Sequence, residues 1–314
     1  MKSADRKLDD AARAAWLAYV AGMKQDEIAA AMGISRQSAQ RLVAQAMHSG
    51  LIKTRIDHPI ADCMDLARRM QDAFGLQICE VVPSLGSDEA TGLAVSHATG
   101  DMIEAWLSRA EPQVIGLGTG RTLRAAIEHM PHLDCQQHKI VSLTGNIAPD
   151  GSTAYYNVLF TIADKVSAQT YPMPLPVIAA TPNERTALLK QATLANTRML
   201  AEKTDVRFVG VGPMLERPPL VADGFITEAD QARLLQKGAV GEIVGFVFDA
   251  AGTLIRDEIN DRVSSAALRP TPGGPVIGAA HGAAKHNAIR AALSGTLLDG
   301  LITDEATARA LLAG

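Results

Sequence analysis

The stretch Val114-Ile115-Gly116-Leu117-Gly118-Thr119-Gly120-Arg121-Thr122 ends an apolar run in three alternating glycines and a polar Thr-Gly-Arg-Thr. The helical pattern Leu123-Arg124-Ala125-Ala126-Ile127 follows at once. Strand, tight loop and helix N-terminus in that order make an anion site, because the first helical N–H groups lack intrahelical partners and lie at the positive end of the helix. Thr119 and Thr122 add hydroxyl donors, and Arg121 adds a permanent charge on a fork that fits phosphate. A Walker loop would carry Lys in place of Arg121, and a dinucleotide fingerprint would carry a third glycine there. The same glycines also suit a purely structural β–α turn. The hydroxyls and the guanidinium, which packing does not require, favour a bound phosphate.

Elements that hold such a loop need a sizeable core, and 314 residues with 47% hydrophobic and 20% charged content supply one, enough for two domains. Aromatics at 4% are too sparse for a base-stacking nucleic-acid surface. No apolar run reaches membrane-span length and the N-terminus has no signal-peptide core, so a cytoplasmic location without membrane association is expected. Cys63, Cys79 and Cys135 are scattered and odd in number, which fits reduced thiols. His281 and His286 have no third ligand nearby, so no metal site is expected, and no cofactor. The net charge of −4 is uneven: residues 1–58 hold nine Lys/Arg against six acids, leaving the remainder at −7. A small basic head on an acidic body suggests that the head meets a polyanion.

The head reads as three helices. Residues 8–21 carry Leu8, Trp16 and Val20 at helical spacing, and Gln25 to Met32 is a short second helix closed by Gly33. Ile34 plugs the turn, and Ser35 caps a third helix from Arg36 to about Met47, with Leu42, Val43 and Met47 on its inner face. This spacing predicts a helix-turn-helix, with Gln25, Ser35, Arg36, Gln37, Ser38, Gln40 and Arg41 facing DNA. Residues 50–56 read as a short β element, and Asp57-His58-Pro59 as the boundary between a DNA-binding domain, 1–57, and a second domain, 58–314.

The second domain alternates helices with apolar strands, which predicts an α/β fold with a doubly wound, mostly parallel sheet. Strands are expected near residues 79–83, 113–116, 139–143, 176–180, 207–212, 244–249 and 276–280, with a long helix ending near Lys203. Ligands of such sheets bind at the carboxyl ends of strands. There stand Gly116 to Thr122, Thr144-Gly145-Asn146, Gly210-Val211-Gly212, Asp249-Ala250-Ala251-Gly252 and His281-Gly282-Ala283-Ala284-Lys285. Asp249 suits either sugar hydroxyls or a turn, and Lys285 either a phosphate or solvent.

The whole chain resembles the sugar-binding transcriptional regulators of the SorC type, grouped loosely with DeoR-like repressors. The resemblance rests on Met23 to Ala29 with Gly33 to Ser38, Gly116 to Thr122, and Asp150-Gly151-Ser152. It rests also on Val209 to Gly212, Gly241-Glu242-Ile243 before Phe248-Asp249, and Lys285 to Ile289. It departs from the family at His281-Gly282, where paired glycines are the pattern. The resemblance implies an effector domain with a fold like ribose-phosphate isomerases and CoA-transferases, used for binding. It implies dimers or tetramers on operator DNA and a phosphorylated sugar or polyol as effector. By position, Gly118, Thr119, Gly120, Arg121 and Thr122 would hold the effector phosphate, with Asn146, Asp249 and Lys285 beside its sugar. The expected function is regulation of a carbohydrate-metabolism operon by a sugar or sugar phosphate bound in the second domain, with an unphosphorylated polyol or sugar as the alternative effector. The alternative is a sugar-phosphate isomerase or lyase with an accessory head, using Lys285 and Asp249.

Overall fold

Alanine spacing decides the first helix. Ala11 and Ala15 of α1 (Ser3–Tyr19) pack against Ala46 with no side chain longer than a methyl between them, which lets two helices approach closely. A computed structural model of the chain describes residues 3–52, 61–152, 158–215, 218–270 and 273–314. The chain divides into two compact units, Met1–Pro59 and Ile60–Gly314. In the first, α2 (Gln25–Met32) and α3 (Arg36–His48) follow α1. The Lys24 N–H donates to Glu27 Oε2 at 2.6 Å to start α2, and Gly33 closes it in left-handed geometry. Ser35 Oγ accepts the Ser38 N–H at 3.2 Å to start α3. Ala14, Ile28, Ala29 and Ala39 form a small core with Leu17, Ile34, Leu42 and Val43 around it.

Three apolar positions differ from expectation. Met47 lies outside this core, where its sulfur accepts the Tyr19 hydroxyl at 3.2 Å, while Ala46 takes the buried position one residue earlier. Trp16 and Val20 are exposed, since the inward stripe of α1 runs through Ala11, Ala14 and Ala15. The β element expected at 50–56 falls mostly outside the described residues; Leu51 and Ile52 form no strand.

The second unit opens with α4 (Ala61–Phe74), β1 (Ile78–Val82), α5 (Asp88–Leu107), β2 (Val114–Leu117), α6 (Arg121–His129) and β3 (Lys139–Ser142). Then come α7 (Val158–Ala163), β4 (Gln169–Tyr171), α8 (Pro182–Leu189), α9 (Ala195–Glu202), β5 (Val206–Gly210) and β6 (Gly212–Pro213). The remainder is α10 (Pro219–Ala222), α11 (Glu228–Gln236), β7 (Ala239–Ile243), β8 (Phe246–Asp249), α12 (Glu258–Arg262), β9 (Val276–Ala279), α13 (His286–Ser294), β10 (Gly300–Asp304) and α14 (Glu305–Leu312). Seven strands form one parallel sheet in the order β1-β10-β9-β5-β2-β3-β4, which is the doubly wound α/β class. Period-two alternation sends Ile115, Leu117, Ile140, Phe208, Ile277 and Ile302 into a core under α5, α6 and α7. Val141, Val209, Val276 and Leu301 point the other way, into a larger core shared with α4, α13, α14 and the small sheet.

That small sheet, antiparallel in the order β6-β7-β8, departs from expectation. Val244 and Gly245 both have positive φ and form a two-residue turn closed by the Ile243–Phe246 pair, so the run read as a strand from Val244 contains a hairpin turn. The strand expected at 176–180 is also absent: only isolated bridges form there, because Pro174 and Pro176 interrupt the ladder. The sheet edge is instead β4, three residues long and polar. The long helix before Lys203 is two helices, α8 and α9, separated by a short 3₁₀ turn at Ala192–Leu194. The terminal β10 and α14 complete the fold beyond the last expected helix.

Candidate functional site

Sheet order places the site. From β2 the chain moves outward to β3 and β4 on one side, then returns through β5 to β9 on the other. The crevice between β2 and β5 is therefore a topological switch point, where doubly wound sheets bind ligands. Leu117 pairs with Phe208 there, and the Gly118 N–H donates to Phe208 O at 2.8 Å, keeping the next loop at the strand ends.

A cavity of about 760 Å³, counting its opening to solvent, lies over this crevice. Thr119, Gly120, Arg121 and Thr122 line it after β2, Gly210 and Gly212 after β5, and Lys285 after β9. Gly120 has φ +130°, a conformation closed to most side chains, and begins α6 with no side chain capping the helix. The N-terminus of α6 thus presents backbone donors to the cavity beside the Arg121 guanidinium.

Of the residues expected to face the ligand, Thr119, Gly120, Arg121, Thr122 and Lys285 line this cavity and three do not. Gly118 serves the strand junction. Asn146 does not line the cavity: its backbone N–H and that of Ile147 donate to Leu175 O, at 3.0 and 3.1 Å, and its buried Oδ1 has no hydrogen-bond partner among the described residues. Asp249 closes a turn at the end of β8, its Oδ1 accepting the Ala251 and Thr253 N–H groups at 2.9 Å each.

Two carboxylates that expectation passed over take their place. Glu242, on the central strand of the small sheet, lines the cavity, and its Oε2 accepts the Gly245 N–H at 2.9 Å. Burial pushes its carboxyl above the ordinary glutamate value, against the Gly245 N–H and the Lys285 charge, which favour ionisation. Asp223, after α10, faces Arg121; burial raises its carboxyl and the guanidinium opposes the rise. Lys285 is pushed below the ordinary lysine value, first by burial and then by Arg121, while Glu242 and Asp88 oppose. One signal for Glu242 was available: it is an acid inside an apolar strand, Ala239-Val240-Gly241-Glu242-Ile243, and such an acid needs a polar purpose. Val177, Leu220, Phe225, Val244 and Ala279 form apolar walls. Val244 holds φ +46°, strained for a β-branched residue, and strain of this kind gathers at binding sites.

The first unit has its own exposed polar face. Arg36, Gln37, Gln40 and Arg41 are exposed along the first turns of α3. Arg36 lies 3.4 Å from Asp26, both side chains largely solvated, so this pair holds the guanidinium only weakly. Ser35 and Ser38 are joined hydroxyl to hydroxyl at 2.9 Å, Arg41 reaches Ser38 Oγ at 3.3 Å, and Gln25 is half-buried at the start of α2. Among the described residues no group of three or more His, Cys, Asp or Glu could hold a metal ion, and no helix is long and apolar enough to cross a membrane.

With this geometry in view, likeness to known proteins is informative. The family model for a sugar-binding domain matches residues 58–313. The erythritol catabolism regulatory protein EryD of Brucella abortus (strain 2308) is 35% identical over 312 residues, covering 99% of this chain and 98% of EryD. The transcriptional regulator LsrR of Enterobacter sp. (strain 638) is 31% identical, covering 96% and 92%. The full-length sorbitol operon regulator SorC from Klebsiella pneumoniae shares the fold, with TM-score 0.75, 22% identity and 99% of both chains covered. A DeoR family transcriptional regulator from Listeria monocytogenes does so with TM-score 0.72 and 21% identity, over 79% of this chain and 99% of its own. The sequence relationship, the sugar-binding match over most of the chain and the shared fold together make this chain a member of the SorC-type family of sugar-binding transcriptional regulators.

Proposed function

We propose that the chain is an effector-controlled, DNA-binding regulator of a carbohydrate-catabolism operon. The observation that carries this reading is one cavity in which the uncapped α6 N-terminus, Arg121 and Lys285 meet Glu242 and Asp223, in the unit that matches the sugar-binding family. The cations and backbone donors take a phosphate, and the carboxylates accept from hydroxyls. Residues 1–57 read the operator through Arg36, Gln37, Gln40 and Arg41, with Gln25, Ser35 and Ser38 supporting that face. Residues 58–314 bind the effector and assemble the chain as a homodimer or homotetramer in the cytoplasm. Because a helix-turn-helix dimer needs half-sites about 34 Å apart, a ligand that shifts the bodies controls operator binding.

The relationship to an erythritol catabolism regulator directs the search to short polyols and their phosphates. Thermal-shift measurements on the full chain with free and phosphorylated polyols and sugars test the reading, since a ligand that binds only the folded state raises its melting temperature. The ligand that does so should also change operator binding in a mobility-shift assay. An isomerase or lyase reading that relies on Asp249 loses its carboxylate, because Asp249 is committed to its turn. Turnover of pentose or hexose phosphates at ordinary enzymatic rates would overturn the assignment as a non-catalytic sensor.

A further inference from the structure

The cavity carries its own charge limit. Among the described residues its lining holds two cations, Arg121 and Lys285, and two carboxylates, Glu242 and Asp223. Among the described residues no close ion pair joins any two of these four, and Lys285 and Arg121 act on Glu242 and Asp223 through their charge alone. Glu242 cannot readily swing aside. It stands on the middle strand β7, its Oε2 tied to the Gly245 N–H and its Oε1 lodged against Gly212 on β6. Around these groups the walls are apolar apart from Thr119, Thr122 and Thr144.

We propose, resting on the effector-site reading above, that this cavity selects a short polyhydroxylated chain bearing one phosphate monoester, and that Glu242 and Asp223 exclude a second anionic group. One phosphate is matched by the α6 N-terminus, Arg121 and Lys285. A hydroxyl donates to a carboxylate oxygen, whereas a phosphate oxygen at the same place has no hydrogen to give and meets a like charge. Among the described residues the walls supply no further cation for a second phosphate. Burial already raises both carboxyls, so the site has little spare capacity for added negative charge. Glu242 and Asp223 are thus specificity-determining residues, and ligands of this class are phosphate monoesters of polyols or open-chain sugars, not bisphosphates.

Isothermal titration of the full chain tests this with erythritol, inorganic phosphate, erythritol 4-phosphate and erythritol 1,4-bisphosphate, and with the matching ribitol series. The expected result is a monophosphate bound more tightly than either polyol or phosphate alone, and at least tenfold more tightly than its bisphosphate. Glu242→Gln keeps the side-chain shape and an oxygen for Gly245, and should narrow the gap between mono- and bisphosphate at least threefold. Asp223→Asn, on the half-buried turn after α10, should do the same if the Glu242 variant misfolds. A bisphosphate bound as tightly as the monophosphate by the unaltered chain overturns the inference and leaves the effector site standing. So does an unchanged ratio in both variants. If no polyol, phosphate or phosphate ester binds at all, the effector-site reading falls first.

Discussion

Glu242 and Gly212 face each other in the antiparallel ladder of β6 and β7, and Glu242 Oε1 fills the space that a Cβ on Gly212 would need. The glycine is a seat for the carboxylate. Gly212→Ala therefore displaces Glu242 while sparing the parallel sheet, because β6 is an edge strand and the obstructing atom ends a side chain. The expected outcome is a folded protein with an effector affinity at least tenfold lower, read by calorimetry. Unchanged affinity would remove the seated carboxylate from the account of binding.

Effector affinity should fall as pH rises. Glu242 is raised by burial, so it takes on its negative charge later than a solvated glutamate, from above the ordinary value of about 4.3. Lys285 is lowered by burial and by Arg121, so it loses its positive charge earlier than a solvated lysine. Both changes make the cavity more negative as pH increases, with Asp223 and Asp88 adding to the field and Arg121 opposing it. Titrations with erythritol 4-phosphate above the phosphate's own second ionisation, near about pH 6, should show weakening as pH rises. Glu242→Gln should remove the Glu242 share of that weakening and keep the Lys285 share. A pH-independent affinity above the phosphate's own ionisation would count against both groups.

How much of this was readable in the chain follows from how locally each feature is encoded. The β2 loop and the start of α6 are contiguous, and glycine, threonine and arginine keep their meaning wherever the strand ends, so that half of the cavity was legible. Lys285 was legible for the same reason, standing just after a strand. The other half depends on a hairpin. Val244-Gly245 sits inside an apolar run, and only the pairing of β7 with β8 turns that run into two short strands and brings Glu242 over the sheet. Asp223 depends on α10, a four-residue helix too short to show a period. Asn146 and Asp249 also follow strands but line no part of the cavity, Asp249 because the Ala251–Thr253 turn takes its carboxylate. Position at a strand end pointed to half of the site and did not suffice.

Arg121 stands alone among the cavity cations as an exposed guanidinium at a helix start. Arg121→Gln should weaken binding of a phosphate ester about 10- to 100-fold, the usual loss for a hydrogen bond to a charged group. Binding of the unphosphorylated polyol should change much less. Equal losses for both ligands would place the phosphate elsewhere in the cavity.

Operator binding should respond to a different set of residues. Arg36 and Arg41 are exposed on α3, and the solvated Asp26 restrains Arg36 only weakly. Arg36→Ala and Arg41→Ala should each lower operator affinity about tenfold or more, the range for one base or phosphate contact. A residue that touches phosphate also lowers the salt dependence of binding by about one counterion. Effector affinity should be unaffected in both. Operator affinity unchanged in both variants would exclude α3 as the reading helix.

The hairpin that carries Glu242 has its own anchor, and acid should release it. Asn260 of α12 accepts the Val247 N–H and donates to the Val247 and Ile255 carbonyls, at 2.7 to 2.8 Å, which ties α12 to β8. Asp257 starts α12, its Oδ1 accepting the Ile259 N–H at 3.0 Å, and it is buried against the Arg233 fork at 3.1 Å and Lys237 at 2.7 Å. Hydrogen bonds from Arg233 hold its carboxyl well below the usual aspartate range, against the opposing effect of burial. A depressed folded-state value contributes stability that is fully present above the unfolded value of about 3.9 and is lost as pH falls below it. Asp257→Asn should thus cost about 2–3 kcal/mol near neutral pH, lowering the melting temperature of a unit this size by roughly 4–12 °C. The variant and the unaltered chain should converge as pH drops from about 4 toward 2, because protonation removes in the native chain what the substitution has already removed. Melting curves that stay parallel over that interval would assign the stabilisation to packing instead of charge.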